Sequence, residues 1–263
     1  MNTAAPDFQE ILWYAERAKA AYAAEGEIRD SHPNTTRVAT LPEADVQYFL
    51  EVFPDQRLQV LAIRGTSNLA NAKEDLEYIQ SRNTKLGIYV HRGFEADADA
   101  LYADVLPHLD RNLKVRVTGH SLGAAISTLL MMFLHKDGYV VERSVNFGQP
   151  KLTNARGAEA YGFLNLLRIV DENDLVPLVP PLTLIDSLHG AYEHLGSELI
   201  LLRDQYFAVL EQSDAARRSV LSFWTNLGHE SIEEHYMDSY LRNIRSKLAH
   251  AEQVPYEMRE RYV

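Results

Sequence analysis

The sequence predicts an α/β fold in which helices cover both faces of a mainly parallel central sheet. Segments of strand-like composition alternate with segments of helical periodicity along the 263 residues, and this alternation is typical of parallel strands connected by helices. At residues 114–134 a strand leads directly into an apolar helix through a turn that contains two glycines. No internal repeat, low-complexity tract or linker interrupts the pattern, so we expect a single domain over residues 1–263.

The first part of the chain predicts one amphipathic helix followed by strands. Apolar residues recur at helical spacing between Asp7 and Ala23, which indicates a helix. Val46–Phe53 and Leu58–Ile63 are rich in β-forming residues and are separated by Pro54 and Asp55, so we expect neighbouring strands. The elements expected next are a surface helix at Asn68–Gln80, a helix at Glu95–Leu109 and a strand at Lys114–Thr118.

The second part of the sequence predicts further alternation of helices and strands, and helices in its last third. An apolar helix is expected at Ala124–Leu134, and Gly138 is placed to end it. The expected strands are Arg143–Phe147, Leu164–Val170 and Glu198–Leu202. The expected helices lie near Tyr206–Glu211, Ala215–Phe223 and Ser231–Leu248.

Composition and charge exclude several classes of protein. Hydrophobic residues make up 46% of the chain, enough for a full core, and the formal net charge is −11 with an isoelectric point near 5.4. A nucleic-acid partner is not expected, because phosphate binding requires a basic surface. The absence of cysteine excludes disulfides and thiolate metal sites.

The chain shows no sign of a leader or a membrane span. Met1–Ala24 lacks a basic stretch followed by an apolar core, and the longest apolar run, Ile126–Leu134, is too short to cross a bilayer. We therefore expect a protein without a transmembrane segment that is cytoplasmic, or secreted without a recognisable signal peptide.

The turn between the strand and the apolar helix carries the clearest chemical signal. Gly119-His120-Ser121-Leu122-Gly123 matches the G-x-S-x-G nucleophile elbow. The turn is so tight that side chains two residues on either side of the serine would collide, and glycine removes those clashes. The serine hydroxyl then lies at a helix N-terminus, where N–H groups favour a developing oxyanion. Ser121 is therefore the candidate nucleophile.

A serine needs a base and an orienting carboxylate, and the sequence leaves both open. In chains with this elbow the order is serine, acid, histidine, so His32, His91 and His108 come too early. His135 ends the elbow helix, and we expect the side chain of His120 to point away from its neighbour Ser121. The remaining bases are His189, His194, His229, His235 and His250. The competing acids are Asp171, Glu172 and Asp174, in a loop that follows a strand.

Seven segments in the right order resemble the class 3 (fungal-type) lipase family of the α/β-hydrolase superfamily, over about residues 45–242. They comprise the elbow and six others. These six are Ile63-Arg64-Gly65-Thr66 with Asp75-Leu76, Val90–Phe94, Asn146–Lys151, Asn173–Pro177 ending in Pro180-Pro181, Tyr192–Glu198, and His235–Leu241.

The resemblance implies the α/β-hydrolase fold and a role for each site residue. It implies Ser121 as nucleophile, Asp174 as acid and His235 as base, with His229 kept as an alternative base. It implies an oxyanion hole formed by the backbone N–H groups of Thr66 and Leu122, with the Thr66 hydroxyl as a further donor. His194 and His91 are then expected to be structural.

The same resemblance implies a carboxylic ester hydrolase that acts through an acyl-enzyme on short- to medium-chain acyl esters or acylglycerols. Such a reaction requires no metal or cofactor, and the expected partners are an ester or lipid substrate and a transient lipid interface. The alternatives are a phospholipase, a feruloyl esterase or an acyltransferase with the same triad. A non-catalytic lipase-like binding protein is a further alternative, but it predicts a missing triad member.

The segment expected to form a lid departs from the family. In many relatives it carries a tryptophan, whereas Ser67–Leu76 has Ala72 at that position and a thin apolar face. A lid that opens on lipid should present an apolar face. We therefore expect weak interfacial activation. An acyl pocket is also expected from apolar residues of Asp204–Leu227.

Overall fold

The computed structural model describes residues 6–66, 79–179, 190–211 and 233–263. The α-helices are α1 (Phe8–Ala20), α2 (Glu25–Ser31), α3 (Arg92–Val105), α4 (Leu122–Lys136), α5 (Ala155–Tyr161) and α6 (Met237–Arg245). Short 3₁₀ turns lie at Pro42–Ala44, Pro54–Gln56, Leu106–His108, Val176–Leu178, Glu233–His235 and Tyr256–Arg261.

Strands of the described residues form two sheets. The strands are β1 (Thr35–Leu41), β2 (Val46–Phe53), β3 (Leu58–Ile63), β4 (Gln80–Asn83), β5 (Ile88–His91), β6 (Lys114–His120), β7 (Val141–Phe147), β8 (Thr153–Asn154), β9 (Leu166–Asp171), β10 (Tyr192–Glu193), β11 (Ser197–Leu201), β12 (Tyr206–Leu210) and β13 (Glu252–Gln253). The large sheet has the order β1-β2-β3-β6-β7-β9-β11-β12-β13, and the small one has the order β10-β8-β5-β4.

The centre of the large sheet is parallel, which confirms the predicted fold class. Strands β3, β6, β7, β9 and β11 are parallel neighbours. Strand β2 runs antiparallel to both β1 and β3, and β12 runs antiparallel to β11 but parallel to β13. In the register Ile63 lies beside Gly119 and His120 beside Phe147. The carboxyl ends of β3, β6 and β7 therefore lie side by side, where loops of this class of sheet carry ligand sites.

Helices cover both faces of this sheet. On one face, α4 is buried from Gly123 to Leu134 and packs with α3 over Leu61, Val115 and Val117. On the other face, α1 and α6 pack over Val145 and Phe147 of β7. The alternate residue Asn146 points to the α4 face, where it hydrogen-bonds to Ser127 and Thr128. The period of two along β7 thus separates the two cores.

Helix α1 lies where the sequence places it and begins at a capping residue. Asp7 Oδ1 accepts hydrogen bonds from the N–H groups of Gln9 and Glu10, at 2.9 and 3.2 Å. Such a cap satisfies N–H groups that have no intrahelical partner. At the end of α4, Gly138 has φ +80°, as expected of a glycine that ends a helix.

The helix expected near Tyr206–Glu211 is wrong, because this segment is strand β12. Asp204 adopts φ +53° and turns the chain back, so that β12 pairs antiparallel with β11. Aromatic and branched side chains in Tyr-Phe-Ala-Val-Leu favour the pleated conformation once a partner strand is available. Within the described part of the segment Ser231–Leu248, the observed helix α6 is shorter than expected and spans only Met237–Arg245.

No helix within the described ranges is long and apolar enough to cross a membrane. The helix expected at Ala215–Phe223 and almost all of the one expected at Asn68–Gln80 lie outside the described residues, although Gln80 itself begins β4.

Candidate active site

Ser121 lies between the carboxyl end of β6 and the first residue of α4. Its backbone has φ +57° and ψ −128°, a conformation that is strained for a residue with a side chain. Its N–H donates to the carbonyl of Phe147 on β7 at 3.0 Å. The strand that precedes the serine and the helix that follows it therefore hold a residue with a strained backbone and a buried side chain in place.

The two elbow glycines are required by close backbone contacts. A Cβ atom added to Gly119 would lie 2.3 Å from the carbonyl oxygen of Gly123, and one added to Gly123 would lie 2.4 Å from the carbonyl oxygen of Ile63. These distances are far below van der Waals contact. The collision between positions 119 and 123 is the steric cause that the sequence predicts, and the contact of Gly123 with β3 is an additional one.

Asp174 and His235 form a buried pair. His235 Nδ1 lies 2.7 Å from Asp174 Oδ2, and both residues are at most 3% exposed. Burial alone would raise the pKa of Asp174, but the charge of His235 and hydrogen bonds from His235, Tyr240 and the Val176 N–H lower the pKa below its ordinary value. An ionised Asp174 accepts the Nδ1 proton, which leaves the lone pair of the neutral imidazole on Nε2.

The other two candidate acids are engaged elsewhere. Asp171 accepts a hydrogen bond from Asn243 at 3.0 Å, and burial raises its pKa to about 6. Glu172 forms an ion pair with Arg259 at 2.8 Å. Of the three acids, the structure therefore brings Asp174 to His235.

Tyr240 supports Asp174, and the sequence reasoning did not assign it this contact. Its hydroxyl accepts from the Asp171 N–H at 3.2 Å and donates to Asp174 Oδ2 at 2.6 Å. Burial and the charge of Asp174 raise the pKa of Tyr240 well above its usual value, so it remains a donor. The same carboxylate oxygen thus receives two hydrogen bonds, which fix its orientation.

The second imidazole nitrogen of His235, Nε2, is buried. It has no hydrogen-bond partner among the described residues, Ser121 included. Bonds of this kind often tighten only when substrate is bound. Gly148, with φ +56°, packs against the pair, since a Cβ atom there would lie 2.9 Å from both Asp174 Oδ2 and His235 Cε1. A glycine at 148 therefore leaves the room that the pair occupies.

The two candidate oxyanion donors lie beside the elbow. Gly65 approaches so closely that a Cβ atom on it would lie 3.0 Å from the Ser121 Cβ, and Thr66 follows it. Leu122 is the first residue of α4, where N–H groups lack intrahelical acceptors and attract negative charge. Leu122 thus adjoins the serine along the chain, and Thr66 adjoins a residue that contacts the serine across the sheet.

The remaining described histidines have contacts that suit structural roles. His194 Nε2 lies 2.6 Å from the Pro177 carbonyl, in the loop that carries Asp174. His91 caps α3 by accepting from the Phe94 N–H and stacks on the Phe94 ring. His250 is exposed near the chain end. The alternative bases His189 and His229 lie outside the described residues.

The side chain of His120 lies against His235, a contact that the sequence did not predict. Its ring centroid lies 4.6 Å from that of His235, and its Nε2 lies 2.7 Å from the His235 carbonyl oxygen. Its Nδ1 lies 2.7 Å from the hydroxyl of Tyr22. The sharp turn at Ser121 directs the preceding side chain beneath the histidine loop, a long-range contact that has no signal in the sequence.

The expected lid and part of the expected acyl pocket lie outside the described residues. They comprise Ser67–Leu76 for the lid and 212–227 for the pocket. The described part of that pocket belongs to the core: Phe207 packs edge-on against Phe8 with ring centroids 5.2 Å apart, and Leu210 packs in a cluster with Ile200.

Known proteins resemble the chain in sequence. Residues 60–184 match the family model of class 3 lipases. A secreted mono- and diacylglycerol lipase A of Penicillium cyclopium is 30% identical over 150 residues, 53% of this chain and 46% of that protein. A chloroplastic phospholipase A1 of Arabidopsis thaliana is 27% identical over 122 residues, 42% of this chain and 19% of that protein. The chain thus covers less than half of the length of either relative.

The fold also has a counterpart among solved structures. Lipase II from Rhizopus niveus superposes with a TM-score of 0.70 at 24% identity, over 88% of this chain and 94% of that one. At this identity the likeness establishes the fold alone, which is the α/β-hydrolase fold expected from the sequence.

Proposed function

We propose that this chain, which belongs to the class 3 lipase family, is a serine ester hydrolase that cleaves short- to medium-chain acyl esters or acylglycerols. Ser121 is the nucleophile, His235 the base and Asp174 the acid. The N–H groups of Thr66 and Leu122 form the oxyanion hole. The observation that carries the proposal is the buried 2.7 Å contact between His235 and Asp174, at the same sheet edge as a serine on a strained elbow.

In the first half of the reaction the acyl group is transferred to the enzyme. The Ser121 oxygen attacks the ester carbonyl carbon while its proton passes to His235 Nε2, and Asp174 stabilises the resulting imidazolium. The carbonyl oxygen becomes an oxyanion that accepts hydrogen bonds from Thr66 and Leu122. One such donor contributes about 2.7–4 kcal/mol to transition-state stabilisation in serine hydrolases. The tetrahedral intermediate then expels the alcohol, which takes its proton from His235.

In the second half, water releases the acid. His235, again neutral, removes a proton from a water molecule that attacks the acyl carbon, and the tetrahedral intermediate expels the Ser121 oxygen, which recovers its proton from His235. The cycle consumes one ester and one water and yields one alcohol and one carboxylic acid. All of its proton transfers use a single nitrogen, Nε2 of His235, which no described residue occupies with a hydrogen bond.

Two relatives point to different substrates within this reaction class. The Penicillium relative is described as a mono- and diacylglycerol lipase and the Arabidopsis relative as a phospholipase A1. Acylglycerol or simple ester hydrolysis is the first candidate, because the match to the Penicillium protein covers more of this chain, 53% against 42%. Phospholipid hydrolysis is the second candidate, and it uses the same residues.

A chain-length series tests the proposed function. Purified protein is assayed with p-nitrophenyl esters from acetate to palmitate, with a diacylglycerol and with phosphatidylcholine, and the Ser121→Ala protein serves as the blank. We expect turnover that is fastest on short- to medium-chain esters, and more diacylglycerol than phospholipid cleavage. Preferred release of fatty acid from phosphatidylcholine would establish the second candidate instead. No turnover of any of these esters would contradict the proposal.

A further inference from the structure

The segments that carry the candidate site come from distant parts of the chain. Gly65 and Thr66 follow β3, Ser121 follows β6, and His235 ends a 3₁₀ turn before α6. Sheet register fixes the first two relative to each other, because Ile63 lies beside Gly119. His235 has no place in the sheet, so other contacts must set the position of its backbone.

A chain of three hydrogen bonds joins these segments. The Gly65 N–H donates to the hydroxyl oxygen of Tyr22 at 3.0 Å, that hydroxyl lies 2.7 Å from His120 Nδ1, and His120 Nε2 lies 2.7 Å from the carbonyl oxygen of His235. Tyr22 lies just beyond the end of α1, outside the residues that match the family model.

The chemistry of the groups fixes the direction of every bond. The His235 carbonyl can only accept, so the proton of His120 is on Nε2 and Nδ1 carries a lone pair. Tyr22 must then donate its hydroxyl proton to Nδ1, which leaves its oxygen to accept from the Gly65 N–H. Each of the three donors, the Gly65 N–H, the Tyr22 hydroxyl and the His120 Nε2–H, thus has one acceptor.

His120 is held neutral, as this arrangement requires. Burial, together with the nearby charge of His235 when protonated, lowers the pKa of His120 to about 3. A cationic His120 would carry a proton on Nδ1 and would break the bond from Tyr22. It would also place a positive charge beside His235 at the moment when that residue becomes an imidazolium.

We propose that Tyr22 and His120 are positioning residues that hold the backbone of His235 and the Gly65–Thr66 strand end against the Ser121 elbow. This inference rests on the proposed function. Neither side chain touches substrate in this role. Tyr22 acts through Gly65 on the N–H of the next residue, Thr66, and through His120 on the base.

Gly65 packs tightly against Tyr22 and the backbone of His120. A Cβ atom at Gly65 would lie 2.6 Å from the Tyr22 hydroxyl oxygen and 2.7 Å from the His120 carbonyl oxygen. The strand end therefore approaches the elbow to the limit that backbone allows, and the Tyr22 hydroxyl fills the space beside it. Loss of that hydroxyl would leave the Gly65 N–H without its acceptor.

The test compares two tyrosines of the same helical region. Tyr22→Phe removes the hydroxyl and keeps the ring. Tyr14→Phe is the matched control, because the Tyr14 hydroxyl is fully buried on α1 and has no hydrogen-bond partner among the described residues. Turnover of a soluble p-nitrophenyl ester is measured for each, with a phosphonate titration to count competent sites and a melting curve to compare stability.

We expect Tyr22→Phe to lower kcat by about 10- to 100-fold, the range in which small displacements of catalytic groups act, with KM changed less than about twofold. Tyr14→Phe should keep both constants within about twofold of the parent protein, because the Tyr14 hydroxyl has no hydrogen-bond partner among the described residues to lose. The double variant Tyr22→Phe/His120→Gln should lose less activity than the product of the single effects, because both changes break the same hydrogen bond between Tyr22 and His120. A loss equal to the full product would mean that the two residues act separately.

The outcomes separate this inference from the proposed function. If the parent protein hydrolyses esters but Tyr22→Phe turns over like Tyr14→Phe, the positioning role is wrong while the proposed function stands. A lower melting temperature with unchanged kcat per competent site would likewise assign Tyr22 to stability alone. If the parent protein hydrolyses no ester, the proposed function fails first. Should Tyr22→Phe not fold, His120→Gln is compared with Tyr14→Phe, because it retains an N–H donor for the His235 carbonyl but has no acceptor at the Nδ1 position for Tyr22. A lower kcat for His120→Gln would support the positioning role, and a kcat equal to that of Tyr14→Phe would contradict it.

Discussion

Replacing Ser121 by alanine is expected to lower kcat for ester hydrolysis by about 10⁶-fold, the size of effect seen when the nucleophile of a serine triad is removed. Alanine retains a Cβ atom, so the strained backbone at φ +57° is unchanged and the variant should fold like the parent. The loss therefore reports the missing hydroxyl. It is measured as kcat on a soluble p-nitrophenyl ester.

Ser121→Gly is the matched control for strain. Glycine adopts positive φ without a Cβ clash, so this variant should be as inactive as Ser121→Ala but melt at a higher temperature. A Ser121→Ala protein that keeps more than a small part of the parent kcat would mean that another residue attacks the ester.

Replacing His235 by alanine is expected to lower kcat by a similar factor, about 10⁶-fold, because triad members act as a unit. Without the imidazole, nothing at the end of the buried Asp174 contact accepts the serine proton. KM should change little, since the base contacts the reacting proton and not the acyl chain. Steady-state kinetics on the same ester measure both constants.

Two other histidines serve as controls for His235. His250 is exposed, so His250→Ala should leave kcat unchanged. His229 is the alternative base that the sequence leaves open, and His229→Ala should also keep the activity. An inactive His229→Ala protein beside an active His235→Ala protein would reverse the assignment of the base.

The sequence predicts the strand–turn–helix elbow at Ser121 because most of its signal is local. A Cβ atom at Gly119 would collide with Gly123, within the five residues of the motif. A Cβ atom at Gly123 would collide with the Ile63 carbonyl oxygen on β3, a long-range contact that the motif alone does not show. The central strands are predicted for the same reason, since each is a short run of β-forming residues. Helix α4 follows from an apolar run that is buried on all sides.

Spacing along the sequence alone does not choose the candidate acid and the candidate base. Asp171, Glu172 and Asp174 lie within four residues, and their side chains separate only because the loop after β9 turns. One then contacts Asn243, one Arg259 and one His235. These partners are 61 to 87 residues away along the chain. The family resemblance chose Asp174 and His235, and local pattern did not.

The features that the sequence did not predict are contacts between residues far apart in the chain and very short strands. Tyr22 and His120 are 98 residues apart, and no periodicity links them. Strands β8 and β10 have two residues each, too few for alternation to appear. The helix predicted near Tyr206–Glu211 is wrong because the strand character of this segment depends on pairing with β11.

The central claim is that Ser121 attacks the ester and carries the acyl group. The most direct measurement is mass spectrometry of the protein after reaction with a p-nitrophenyl alkylphosphonate, which releases p-nitrophenolate as the phosphorus binds the nucleophile. We predict one adduct per chain, located on Ser121 by peptide fragmentation, formed in step with the loss of esterase activity and absent from Ser121→Ala. An adduct on a different residue that accompanies inactivation, with Ser121 unmodified, would contradict the account.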